Sequence, residues 1–172
     1  MPDTDATRAD EVDVPPLVVV PCSKTQATRP APARELYQGT LHMACRRAAL
    51  ALTVEDRVLV LSARYGLLPL FGDKEYPPYN ESIPDGTFDP GGHIHRARQW
   101  IRRNGLIEER PIILAGRRYM EVARAAWGRD RVVTPLVGCR GIGDYFAVLR
   151  TIEHQRRLPE ASGRARGGRG RS

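Results

Sequence analysis

The sequence predicts a single three-layer α/β domain, with a mainly parallel sheet of about four or five strands and a long lid loop after the second strand. Two observations lead there. Four short apolar runs, Leu17–Val20, Val58–Leu61, Ile112–Leu114 and Val132–Val133, alternate with segments whose apolar residues recur at helical spacing. Each run also ends in a cluster of small, polar and basic residues. If the runs are parallel strands with right-handed crossovers, all four clusters lie along one edge of one sheet, where open α/β sheets bind ligands.

Taken in order, Leu17–Val20 is continuously apolar and rich in valine, as a strand buried on both faces requires. After the prolines at 30 and 32, Leu41–Leu52 reads as a helix with Leu41, Ala44, Cys45, Ala48 and Leu52 on one face and Arg46 and Arg47 off it. Arg57–Leu61 is the second strand. Leu67–Gly92 holds Pro69, Pro77, Pro78, Pro84 and Pro90 and reads as a structureless lid, a loop length usually reserved for function. His93–Arg103 is a helix ended by Asn104-Gly105. Pro111–Leu114 is the third strand, and Arg118–Trp127 a helix closed by Gly128. Arg131–Thr134 is the fourth strand, and Ile142–Arg156 the last helix.

The domain is bounded at 15–157. Residues 1–14 lack periodicity and read as a disordered acidic leader; residues 158–172 read as a disordered Arg/Gly-rich tail. The net charge of +7 is not the tail's doing alone: the leader carries −4 and residues 156–172 carry +5, so the body is itself basic. A basic body favours polyanions such as nucleotides or nucleic acid; an arginine-rich proteome would produce the same composition without a partner. Hydrophobic content of 41% and charged content of 27% fit a globular chain, and no apolar stretch is long enough to span a membrane. Cys22, Cys45 and Cys139 form neither a CxxC pair nor an even disulfide set, so the expected compartment is the cytoplasm. No metal site or cofactor is expected: His93 and His95 have no third ligand nearby, and His42 and His154 read as capping or solvated residues.

The clusters carry the chemistry. Pro21-Cys22-Ser23-Lys24-Thr25 offers hydroxyls, backbone N–H groups and one cation to an anion, without the glycines of a P-loop. Cys22 reads either as a nucleophile or as a small buried residue, and Lys24 either as a phosphate ligand or as an amine nucleophile. In Ser62-Ala63-Arg64-Tyr65-Gly66, Gly66 permits a turn, while Arg64 and Tyr65 suit a phosphate and a stacked base. Within the lid, Tyr76-Pro77-Pro78-Tyr79-Asn80 stands among Asp73, Glu75, Glu81, Asp85 and Asp89; Tyr79 is a second stacking candidate, and Glu75 or Glu81 a carboxylate for acid–base work. A proline-stiffened loop with solvated acids is the plainer reading. Gly138-Cys139-Arg140-Gly141-Ile142-Gly143 has the spacing of a helix-hairpin-helix turn that binds DNA phosphate, or of a simple tight start to the last helix.

In sequence order, Val18-Val19-Val20-Pro21-Cys22-Ser23-Lys24-Thr25, Leu61-Ser62-Ala63-Arg64-Tyr65-Gly66-Leu67-Leu68, Pro78-Tyr79-Asn80 and Ile113-Leu114-Ala115-Gly116-Arg117-Arg118-Tyr119 resemble the YaaA-like superfamily over roughly residues 17–155. More distantly, Pro21-Cys22-Ser23-Lys24 resembles the lysine-transfer domain of archaeosine synthase, although Thr25-Gln26-Ala27-Thr28 departs from that domain's longer signature. The resemblance implies a basic α/β scaffold handling nucleobases or nucleic acid, with Ser23, Lys24, Ser62, Tyr65 and Tyr119 at motif positions.

The resulting expectation is a nucleobase-directed enzyme that cleaves or exchanges an N-glycosidic bond, or modifies a base. Lys24, Glu75, Glu81 and Tyr65 are its catalytic candidates. Cys22, Ser23, Thr25, Ser62, Arg64, Gly66, Tyr79, Asn80, Gly116, Arg117, Tyr119, Arg140, Gly141 and Gly143 are its substrate-binding candidates. A non-enzymatic DNA-binding protein of the oxidative-stress response is the alternative from another class, and a regulator binding a small anion is a third.

Overall fold

The computed structural model describes residues 13–86 and 89–155. Most of the expected leader and all of the expected tail lie outside them, as does Arg156 at the expected end of the last helix. The elements run β1 (Val18–Pro21), β2 (Ala31–Pro32), α1 (Ala33–Leu36), α2 (Thr40–Leu52), β3 (Val58–Ser62), β4 (Gly66–Pro69), β5 (Glu75–Tyr76), α3 (Pro90–Arg103), β6 (Ile112–Ile113), α4 (Arg117–Trp127) and α5 (Ile142–Gln155).

The principal sheet has the order β4-β3-β1-β6. β1 pairs in parallel with β3, Val18 opposite Val58, and with β6, Val18 opposite Ile112. All four residues of β1 and all five of β3 are buried, which explains their uninterrupted apolar character. The chain leaves β1 through α2 to reach β3 on one side, then returns through α3 to β6 on the other. β1 is therefore the switch point of the sheet, with a crevice beyond its carboxyl end. Helix α2 packs on β1 and against α5, while α3 packs against β4 and α4. The result is a mixed α/β domain whose sheet is mostly parallel.

Two expectations need correcting. Arg131–Thr134 is no full strand: only Val133 bridges to Ile112 in the parallel sense, held by Ile113 N–H donating to the Val133 carbonyl at 2.8 Å and Val133 N–H donating to that of Pro111 at 2.9 Å. Turns crowd it from both sides, Arg131 N–H bonding back to Gly128 and Val137 N–H to Thr134 just across Pro135. Nor is Leu67–Gly92 structureless. Gly66–Pro69 turns back and pairs antiparallel on the outer edge of β3, burying Leu67 and Leu68, and Glu75–Tyr76 pairs with Ala31–Pro32 in a second small sheet. Gly66 makes the reversal possible, since its φ of +79° lies where side-chain-bearing residues are strained.

Candidate functional site

A cavity of about 600 Å³ opens beyond the carboxyl end of β1. Its floor is the segment Pro21–Thr25 that leaves β1. Three helices begin at its walls: α2 with Gly39–His42, α4 with Gly116–Tyr119, and α5 with Ile142 and Tyr145. Glu81, Ser82 and Pro84 close it from the lid side. Helix amino ends carry unpaired N–H groups and a partial positive charge, so this arrangement favours an anion.

The floor is fixed by one hydroxyl. Ser23 Oγ donates to the Thr25 carbonyl at 2.7 Å and accepts the Gly39 N–H at 3.1 Å, fastening the exit of β1 to the start of α2. The two segments approach so closely that a Cβ at Gly39 would stand 2.6 Å from Ser23 Cβ. Gln26 fastens the lid: its Nε2 donates to the Ser23 carbonyl at 3.0 Å, and its Oε1 accepts the Tyr79 N–H at 2.9 Å. The cations lie at the rim. Lys24 is ion-paired with Asp85, with its side chain 70% exposed, and Arg117 lies 3.3 Å from Glu121 one turn along α4.

Beneath the lid runs a neutral hydroxyl network. Ser62 Oγ and Tyr79 OH are 2.8 Å apart, Tyr79 OH and Tyr37 OH 3.1 Å, and Ser62 Oγ accepts the Tyr65 N–H. Tyr119 OH lies 3.2 Å from Cys22 Sγ. Burial pushes the phenols of Tyr37, Tyr79 and Tyr119 well above their ordinary range, so these groups position rather than transfer protons. His42 is buried at the start of α2, its Nδ1–H donating to the Pro21 carbonyl at 2.7 Å, and burial pushes its imidazole down to about 4. His93 is buried too; its Nε2–H donates to the Ser62 carbonyl at 2.5 Å, and desolvation lowers its pKa against that bond.

The structure thus brings together on the cavity wall Cys22, Ser23, Lys24, Thr25, Glu81, Gly116, Arg117 and Tyr119. Other candidates stand apart from that wall. Glu75 is exposed on β5 and Asn80 is exposed in the lid. Ser62 and Tyr79 are buried and do not line the cavity, and the Tyr79 ring packs T-shaped against those of Tyr37 and Tyr65. Tyr65 donates its hydroxyl to the Pro77 carbonyl at 2.6 Å, and Arg64 lies 3.5 Å from Glu81, so both brace the lid. Gly66 serves the β3–β4 turn. Arg140, Gly141 and Gly143 are exposed outside the lining, and the Asp144 carboxylate already accepts the Arg140 N–H that a phosphate would need.

Sequence reasoning missed His42, Tyr145, Ser82 and Gln26. His42 was legible in part, because with Cys45 and Ala49 it shares the i, i+3, i+7 spacing of a buried helix flank. Gln26 carried no local signal, since its partners are set by how the lid folds back. Among the described residues, no group of three or more His, Cys, Asp or Glu stands close enough to hold a metal ion, and no helix is long and apolar enough to cross a membrane.

Fold and cavity together define an α/β protein with a crevice at the switch point of a mostly parallel sheet, the position where such sheets bind ligands. Within that class, the chain belongs to the family of unknown function DUF6884, whose family model matches residues 17–151. Neither a curated protein nor a solved structure matches it.

Proposed function

We propose that the cavity binds a nucleotide, free or within a nucleic acid, and that the protein acts on its base or its N-glycosidic bond. The observation that carries this reading is the convergence of two helix amino ends, those of α2 and α4, with Lys24, Arg117 and Arg118 around one cavity of about 600 Å³, a size typical of small-molecule sites. The resemblance to the YaaA-like superfamily supports it. In this reading the helix ends and rim cations hold phosphate, and Tyr145 takes the stacking role first considered for Tyr65 and Tyr79. Glu81, the acidic residue of the cavity wall, faces the sugar, oriented by Arg64. As the bond from the anomeric carbon to the base nitrogen breaks, Glu81 stabilises positive charge on the sugar; water adds there, and the base leaves with the proton. The free thiols of Cys22, Cys45 and Cys139 suit a reducing cytoplasm, and the pairings of α2 with α5 and of α3 with α4 suit three layers.

The test is base release from a panel of nucleotides and DNA, followed by chromatography. Glu81→Gln is expected to retain binding and lose about a hundredfold or more in rate. Binding without release by the wild type would remove the enzymatic part, and absence of any nucleotide binding would remove the whole reading. A second reading, non-enzymatic DNA binding, is favoured by α3, which carries Arg96, Arg98, Arg102 and Arg103 and no carboxylate. It expects a steep fall of DNA affinity with salt and no effect of Glu81→Gln.

A further inference from the structure

The cavity is far less positive than the basic body around it. Its charged lining side chains are Lys24, Glu81, Arg117 and Arg118. Three of them already have a partner of opposite charge: Lys24 has Asp85, Glu81 has Arg64 and Arg117 has Glu121. Arg118, exposed at the start of α4, has no such partner among the described residues. The three pairs are exposed and contribute little to stability, yet they cancel charge. Coulombic contributions add, so an approaching phosphate meets each pair as nearly neutral.

The amino ends of α2 and α4 add to Arg118. Neither has a side-chain cap or an acidic residue in its first turn, so no side chain offsets their partial charge. α5 differs: Asp144 lies in its first turn and accepts the Arg140 N–H. Each uncompensated end is equivalent to roughly half a positive charge, so with Arg118 the cavity offers about two elementary charges. One phosphate monoester carries about −1.5 to −2 near neutral pH, which matches. A second or third phosphate brings more negative charge to a rim where every other cation is paired with a carboxylate. We propose that the site takes a single phosphate group and disfavours polyphosphates: it accepts a nucleoside monophosphate, or one phosphate of a strand, over nucleoside di- and triphosphates. Asp85 and Glu121 set that limit by neutralising Lys24 and Arg117. The inference rests on the nucleotide reading and narrows it to a substrate class.

The experiment titrates the full chain, in buffer free of divalent cations, with each of the common nucleosides and its 5′-mono-, di- and triphosphate. A dinucleoside monophosphate, whose one phosphate is a diester, stands for a strand; whichever single-phosphate ligand binds tighter identifies the source, and either fits the proposal. That ligand is expected to bind about tenfold tighter than the nucleoside, the weight of charge-assisted hydrogen bonds to one phosphate. The di- and triphosphate should bind no tighter than the monophosphate. Arg118→Ala should erase most of the tenfold gain. Asp85→Asn keeps the shape of the side chain and releases Lys24 as a second cation, so it should favour the triphosphate over the monophosphate by about fivefold or more. Both substitutions are at exposed positions, and equal melting temperatures would show that the fold is intact. A wild type that prefers the triphosphate tenfold, or an Asp85→Asn variant with an unchanged preference, overturns the single-phosphate limit and leaves the nucleotide reading standing. If no nucleotide binds the wild type, the nucleotide reading falls, and this inference with it.

Discussion

Acid should destabilise this protein through His42 before its carboxylates protonate. In the unfolded chain the imidazole titrates near its ordinary value of 6.5; in the fold, burial brings it down to about 4. Between those values the unfolded chain binds a proton that the folded chain refuses, so stability rises with pH across the window and is lost as pH falls. Lowering the pH from about 7 to about 5 costs about 2 kcal/mol from this group alone. Below the folded value both states are protonated and the slope vanishes. His93, also lowered by desolvation, adds a contribution of the same sign. The assay is denaturant unfolding of the wild type and His42→Asn at both pH values. The variant should lose about 2 kcal/mol less than the wild type over that interval, with the remaining His93 slope still visible. Parallel pH dependences in the two proteins would refute the reasoning, because His42 would then be open to solvent or protonated in the fold.

Tyr79→Phe removes the hydroxyl shared by Ser62 and Tyr37, leaving polar atoms unpaired under the lid; a loss of about 1–3 kcal/mol in denaturant unfolding is expected. Gly39→Ala forces apart the exit of β1 and the start of α2, because its Cβ meets Ser23 Cβ at 2.6 Å; about 1–3 kcal/mol of stability should go, together with anion affinity measured by calorimetry. Gly116→Ala is its control: its Cβ would lie 3.7 Å from Tyr145 OH, an ordinary contact, so only the cost of alanine at the N-cap of α4, about 1 kcal/mol or less, should appear in unfolding. Lys24→Ala breaks only an exposed ion pair with Asp85, so its melting temperature should barely move while nucleotide affinity drops.

The sheet was legible because burial on both faces leaves a mark in sequence: Val18–Val20 and Val58–Leu61 have no polar position to hide. The same rule fails at an edge. Val133 is 48% exposed and forms one bridge, yet Val132–Val133 reads like a core strand, because composition does not report the turns that cut it short. In the lid the prolines dominated the sequence reading and concealed Leu67, Leu68 and Leu70, whose burial is supplied by pairing with β3. The cavity floor, Cys22 to Thr25, was legible because strand ends are fixed by local sequence. That Tyr145 lines the cavity and Tyr65 and Tyr79 do not was not legible, because it depends on how 65–79 fold back over Ser62 and where α5 begins.

The distribution of polarity follows from the same geometry. A cavity at a switch point is bounded by strand ends, which are buried, and helix beginnings, which reach the surface. Charge therefore collects toward the mouth, where Lys24 and Arg117 stay hydrated, while the buried polar side chains of the wall include Cys22, Tyr119 and His42. Substituting a rim cation should then alter on-rate and salt dependence for any anionic ligand. Substituting an interior group should alter which ligand is chosen, because an unmade hydrogen bond has no water to replace it. If Lys24→Ala and Tyr119→Phe shifted affinity for every nucleotide by the same factor, the division between holding and choosing would not exist in this cavity.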